Sequence, residues 1–301
     1  MILPALLGVL LAACATTRII DYPSANQNGR VRFLVLHYTD GSFERSLELL
    51  SRAHVNPVSA HYLVGRAGEY ASRTPPVLRL VDETQRAWHA GPSRWQGREN
   101  LNDTSIGIEI VYESHCGRTP GETVSPWIAD LQCDYADYPA DQIAAVEQLA
   151  RDILARHPDI DATRVVGHSD IQPENKTDPG PRFPWRMLAQ HGIGAWPDEA
   201  EVARYRDHFD ARPPAWPLAR RALLAYGYGV PDVAADDTRA RNVVNAFQSH
   251  FLPAQRSGDA DALTVATLLA LLDKYRHAER AALAREFPEL PAAAAPPPAS
   301  P

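Results

Sequence analysis

Residues 32–40 read RFLVLHYTD. Phe33, Leu34, Val35 and Leu36 form an unbroken apolar run, the pattern of a strand buried on both faces. The run ends on His37, and the turn-prone Thr39-Asp40-Gly41 follows closely. A histidine at that edge reads either as a core or rim residue held by a hydrogen bond, or as a ligand delivered to a site. Residues 164–170, RVVGHSD, repeat the arrangement: Val165 and Val166, then Gly167, then His168. Residues 105–113, SIGIEIVYE, form another strand-like run, whereas 42–53 and 141–157 carry apolar residues at helical spacing. In the longer of these, Ile143, Val146, Leu149, Ala150, Ile153 and Leu154 share one face. The alternation predicts an α/β fold with a central mixed β-sheet flanked by helices.

Around this core the chain divides by composition. With 301 residues, 45% hydrophobic and 22% charged, it has room for one sizeable domain and a small one, and no extensive disorder is implied. A formal charge of −7 argues against nucleic acid as a partner. Residues 1–13 are too short to span a bilayer and read as a secretory signal, although no Lys or Arg precedes the apolar run. Leu11-Ala12-Ala13-Cys14 resembles the bacterial lipobox, which implies lipidation at Cys14; Ala15 rather than Asp then favours the outer membrane, with the protein facing the periplasm. An ordinary cleaved signal is the other reading. A polar tether follows over 14–29, a catalytic-type domain over 30–192, a small all-α domain over 200–276 and a disordered Pro/Ala-rich tail over 287–301. Between 112 and 140 lies an irregular insertion that contains Cys116 and Cys133. In an oxidising periplasm these two pair or stay free. A monomer is expected.

The chemistry-bearing residues cluster at strand ends and in one loop. In 176–185, KTDPGPRFPW, Pro179 and Gly180 stiffen a turn and leave Asp178 exposed on it. Two imidazoles and a carboxylate make a three-ligand zinc set with the fourth tetrahedral position left to water. In the strand around 109, Ile106, Ile108 and Ile110 share one face and Gly107, Glu109 and Val111 the other. Glu109 thus stands among apolar neighbours that raise its pKa and suit it to proton transfer, unless it makes a sheet-face salt bridge. Lys176 could stabilise an oxyanion near the same centre, or be an exposed loop lysine.

Taken together, VLHYTD, AWHAGPSRW, NDTSIGIEIV and VVGHSDIQPENKTDPG resemble the type-2 N-acetylmuramoyl-L-alanine amidases, zinc enzymes related to the peptidoglycan recognition proteins. The resemblance spans roughly 30–190, with the motifs in order. It is strongest to the lipid-anchored outer-membrane branch with a C-terminal peptidoglycan-binding module. It implies zinc ligation by His37, His168 and Asp178, water activation by Glu109 and carbonyl polarisation by Lys176. The implied reaction is hydrolysis of the amide between the lactyl group of N-acetylmuramic acid and L-alanine, in peptidoglycan or muropeptides, anhydro forms included. His89, Asn100 and Trp95 are expected to contact substrate or shape the rim, and Trp88 reads as packing or stacking. Residues 243–272 resemble a peptidoglycan-binding helical module; a helical cap on the catalytic domain is the other reading. A non-catalytic muropeptide recognition protein is the alternative function, disfavoured because the three ligands, the base and the lysine are all kept. A zinc peptidase is disfavoured because no H-E-x-x-H occurs.

Overall fold

The opening run does form a strand, β1 (Phe33–Tyr38), with Phe33 to His37 buried. The computed structural model describes residues 18–116 and 126–293. The signal, Cys14 and the end of the Pro/Ala-rich tail lie outside the described residues. After β1 come α1 (Phe43–Ser51), β2 (Tyr62–Val64), β3 (Val77–Arg79), the two-residue β4 (Arg94–Trp95) and β5 (Arg98–Glu99), and β6 (Ser105–Ile110). The insertion holds β7 (His115–Cys116), α2 (Pro126–Gln132) and β8 (Cys133–Asp134). Then follow α3 (Ala140–Arg156), β9 (Val165–Gly167), α4 (His168–Ile171) and α5 (Trp185–Gln190). The helical region comprises α6 (Glu199–Ala211), α7 (Trp216–Tyr226), α8 (Thr238–Phe251), α9 (Ala262–Tyr275) and α10 (His277–Glu286).

The central sheet has the order β3-β2-β6-β1-β9, parallel throughout except for the antiparallel β2–β3 pair. It is therefore mixed, as expected. Alternation splits it into two faces. Leu34, Leu36, Ile106, Ile108, Ile110 and Val165 meet Ile143, Val146, Leu149, Ala150 and Ile153 of α3 on one face. Phe33, Val35 and Val166 turn to the other, where they join a core shared with Leu223, Phe247 and Leu268 of the C-terminal helices. Those helices start at side-chain caps that the sequence supplies: Asp198 before α6, Asp237 before α8 and Asp261 before α9 each accept a backbone N–H of the first turn.

Because the helices cover a sheet face, they act as a cap continuous with the catalytic core. Trp95 is the clearest joint. Expected on the cleft rim, it is instead 1% exposed, donates its indole N–H to the Thr163 carbonyl at 2.9 Å and packs edge-on against Tyr228 at 4.7 Å. Gly227 lets this happen: a Cβ there would lie 2.9 Å from the indole. Replacing Trp95 by alanine is expected to destabilise the whole protein by about 3–5 kcal/mol, the usual cost of emptying a large core site. A denaturant midpoint shift measures it, and an unchanged midpoint would refute the assignment of Trp95 to a shared core.

Two further expectations change. Inside the insertion, α2 carries Asp130, which is buried against Asn245 and Ser249 of α8 and Arg256. The stretch expected to be disordered from 287 begins packed: Phe287 and Leu290 lie on the helical core, and the Pro291 carbonyl accepts from Arg280. Cys133 is disulfide-bonded, and its Cα partner across the β7–β8 ladder is Cys116.

Candidate metal and catalytic site

The sheet register brings the candidate residues into one row. His37 on β1 lies opposite Glu109 on β6, and Leu36 lies opposite Gly167, so His168 emerges one step beyond the end of β9. All three therefore stand at the carboxyl ends of adjacent parallel strands, the edge where open α/β sheets bind ligands. Asp178 reaches the same place from its loop. Its carbonyl accepts from the Ser169 N–H at 2.8 Å, and Tyr138 Oη donates to the Pro179 carbonyl at 2.8 Å. Gly167 is needed beneath this loop, since a Cβ there would come within 2.7 Å of the Pro179 ring.

His37 Nδ1 and His168 Nδ1 are 2.9 Å apart, and each lies 3.1 Å from Asp178 Oδ2. All three side chains are buried. Their outward atoms are spoken for: His168 Nε2 donates to Gln172 Oε1 at 3.2 Å, and His37 Nε2 meets His89 Nδ1 at 2.9 Å. The donor set passes a simple test of fit. Three lone-pair-bearing atoms in mutual contact repel unless a proton or a cation lies among them. A tetrahedral ion with ligands at about 2.0–2.1 Å has ligand–ligand edges of roughly 3.3 Å, within a few tenths of those seen. Two imidazole nitrogens and one carboxylate oxygen thus form a set that could hold a metal ion.

Electrostatics agree. Burial, and then the neighbouring His168, push His37 down to about 4 against the pull of Asp178, so the ring is neutral at physiological pH. Burial would raise Asp178, but His168 and His37 hold its carboxyl well below the usual carboxylate range. Glu109 goes the other way. Burial and the Asp178 charge lift it well above its usual range, with Lys176 opposing. Glu109 and Lys176 share with His168 and Asp178 the lining of a cavity of about 190 Å³, with Val58 and a 47%-exposed Trp88 at its mouth.

The descriptions of known proteins converge on the same chemistry. A family described as N-acetylmuramoyl-L-alanine amidase matches residues 27–181. The chain belongs to that family. It is an amide hydrolase of that group and is 42% identical over 252 residues to N-acetylmuramoyl-L-alanine amidase AmiD of Escherichia coli, covering 82% of this chain and 84% of that one. Two solved structures share the fold. AmpDh3 of Pseudomonas aeruginosa in complex with anhydromuramic pentapeptide has a TM-score of 0.75 at 41% identity, over 85% of this chain and 98% of that one. AmiD of E. coli, in complex with anhydro-N-acetylmuramic acid-L-Ala-D-γ-Glu-L-Lys, has a TM-score of 0.72 at 40% identity, over 84% and 93%.

Within this amidase framework the remaining expected contacts separate. Asn100, in a left-handed conformation at φ 56°, lines a different cavity beside Pro92 and Glu174, because the turn after β5 carries it away from the strand ends. His89, by contrast, is among the residues lining the same cavity as Glu109 and His168, although it is buried and both its ring nitrogens are engaged. Sequence reasoning missed a polar knot under His168. Asp170 accepts from Tyr228 Oη at 2.5 Å and from the Gly167 N–H at 2.8 Å, and contacts His250 Nδ1 at 2.8 Å. The His250 ring is stacked between Trp185 and Phe251. The capping helices thus brace the turn that carries His168. Only the acidic residue two places after His168 hinted at this.

Proposed function

We propose that this protein is a zinc-dependent N-acetylmuramoyl-L-alanine amidase that cleaves the amide joining the lactyl group of N-acetylmuramic acid to L-alanine in muropeptides, anhydro forms included. The observation that carries the proposal is the convergence of His37 Nδ1, His168 Nδ1 and Asp178 Oδ2 at the strand ends, with His168, Asp178, Glu109 and Lys176 lining one cavity. Support for the substrate class comes from the muropeptide ligands of the two related structures. His37, His168 and Asp178 would hold the zinc, which when bound is a Lewis acid that makes water acidic near neutral pH. Glu109 removes the proton of the attacking water and delivers it to the departing alanine nitrogen. Its raised proton affinity suits both halves of that task. Lys176 places positive charge where the carbonyl oxygen gains negative charge. Trp88 and Val58 give the mouth an apolar wall for the sugar or the stem peptide.

The same proposal places the protein at the outer membrane as a lipoprotein facing the periplasm, anchored through Cys14. The Leu11-Ala12-Ala13-Cys14 run supports this. Mass spectrometry of defined muropeptides tests the activity: free stem peptide beginning with L-alanine is expected, and a zinc chelator is expected to abolish it. Products cut inside the stem peptide would refute the bond assignment.

A further inference from the structure

Within the site, His89 lines the cavity but is neither one of the three converging donors nor one of the residues given a catalytic role above. It is 7% exposed, lies behind His37 and sits directly over Gly107 of β6. A Cβ at Gly107 would fall 2.5 Å from His89 Cγ and 2.6 Å from its Nδ1, so the glycine in the middle of SIGIEI exists to admit this ring. The hydrogen bonds around the ring have a direction. Ser105 Oγ has one hydrogen and donates it to the Leu101 carbonyl at 2.7 Å. It can therefore only accept from His89 Nε2, 3.2 Å away, which puts the His89 proton on Nε2. His89 Nδ1 is then an acceptor, and the atom facing it at 2.9 Å is His37 Nε2. His37 must donate there, and its Nδ1 is left with a free lone pair pointing at His168 Nδ1 and Asp178 Oδ2.

We propose that His89 is a positioning residue for the metal site, and that the ordered chain Leu101 carbonyl–Ser105–His89–His37 locks His37 into the one tautomer that can bind a cation through Nδ1. The inference rests on the zinc reading above. Metal-bound histidines commonly donate their second N–H to a carboxylate, a carbonyl or water. Here an imidazole takes that place and relays the constraint to a serine. A neighbouring wall holds His89 in turn. His61 accepts the Gly107 N–H at 3.0 Å, directs Nε2 to the Gln85 carbonyl and meets the His89 ring edge-on at 5.7 Å. His89 receives its backbone anchorage from Asn102, whose Oδ1 accepts the N–H groups of His89 and Ala90 at 3.0 and 2.8 Å.

Zinc affinity of the full chain, read by competition with a chromogenic chelator and without substrate, tests this. His89→Phe keeps a flat ring over Gly107 but removes the acceptor, and is expected to weaken zinc binding about 10–100-fold, the range for losing an outer-sphere partner. His89→Asn puts an amide oxygen near the Nδ1 position and is expected to recover most of the loss. Ser105→Ala, which releases the order of the chain while keeping both imidazoles, is expected to shift affinity in the same direction, and it decides the matter if His89→Phe does not fold. Wild-type affinity in both His89→Phe and Ser105→Ala overturns the proposal. So do equal losses in His89→Phe and His89→Asn, which would mean packing rather than an acceptor. A wild-type chain that takes up no zinc overturns the metal reading itself, whereas a zinc-binding wild type with unaffected variants overturns only the role of His89.

Discussion

Replacing Glu109 by glutamine is expected to lower turnover of a muramyl peptide by about 10²–10⁴-fold, the usual contribution of a positioned general base. Zinc content and unfolding midpoint are expected to stay at wild-type values. The separation follows from where the side chain stands. Glu109 is one strand over from His37 and lines the cavity, but its carboxylate is not among the three converging ligand atoms. Glutamine keeps the shape, removes the capacity to take a proton and leaves the donor set whole. Burial and the Asp178 charge already favour the protonated form of Glu109, so a neutral amide costs the fold little. The loss is expected in kcat more than in KM, because the proton moves only as the reaction proceeds. A variant with near-full turnover would remove Glu109 from the mechanism. A variant that lost zinc along with activity would make it a support of the metal site instead.

How far such assignments could be read from sequence depends on the range of the interactions. His37 and His168 were legible because an apolar strand that ends on an imidazole is a local pattern, and Glu109 because alternation along a strand assigns faces. The helix of 140–156 announced its buried stripe in the same way. Trp95 was misplaced because the same dipeptide surroundings suit a rim or a core aromatic. What decides is Tyr228, more than a hundred residues away, which is non-local packing. The polar knot on Asp170 and the seat of His89 over Gly107 are non-local too. Short α2 escaped notice because seven residues carry too little periodicity to register. The separation of the C-terminal helices into a small domain followed their change in composition. Their apolar faces, however, had to be buried somewhere, and the open face of the sheet is where they went. Excising them would strip that face, so wall-binding by this region has to be tested with point variants in the full chain.

Replacing Asp178 by alanine should have the largest effect of all, and it acts on the metal before it acts on the reaction. Asp178 is the one formally negative donor in the buried cluster. Without it, two imidazole nitrogens 2.9 Å apart are left to attract a divalent cation into a site from which water is largely excluded. That arrangement replaces too little of the hydration the ion gives up. Zinc affinity is therefore expected to fall by more than the roughly hundredfold that an outer-sphere partner is worth. Turnover should drop to the level of chelator-treated wild type. Thermal unfolding gives a second, independent readout. Wild-type protein should gain about 2.7 kcal/mol of stability at a free zinc concentration a hundred times its Kd, by mass action. The Asp178→Ala variant should gain nothing at the same concentration. The readout is the zinc-dependent gain rather than the metal-free midpoint, since the buried carboxylate contacts both histidines without the ion as well. Stoichiometric zinc in Asp178→Ala, together with its zinc-dependent rise in melting temperature, would show that the ion sits elsewhere. The row of strand-end residues would then have to be explained without it.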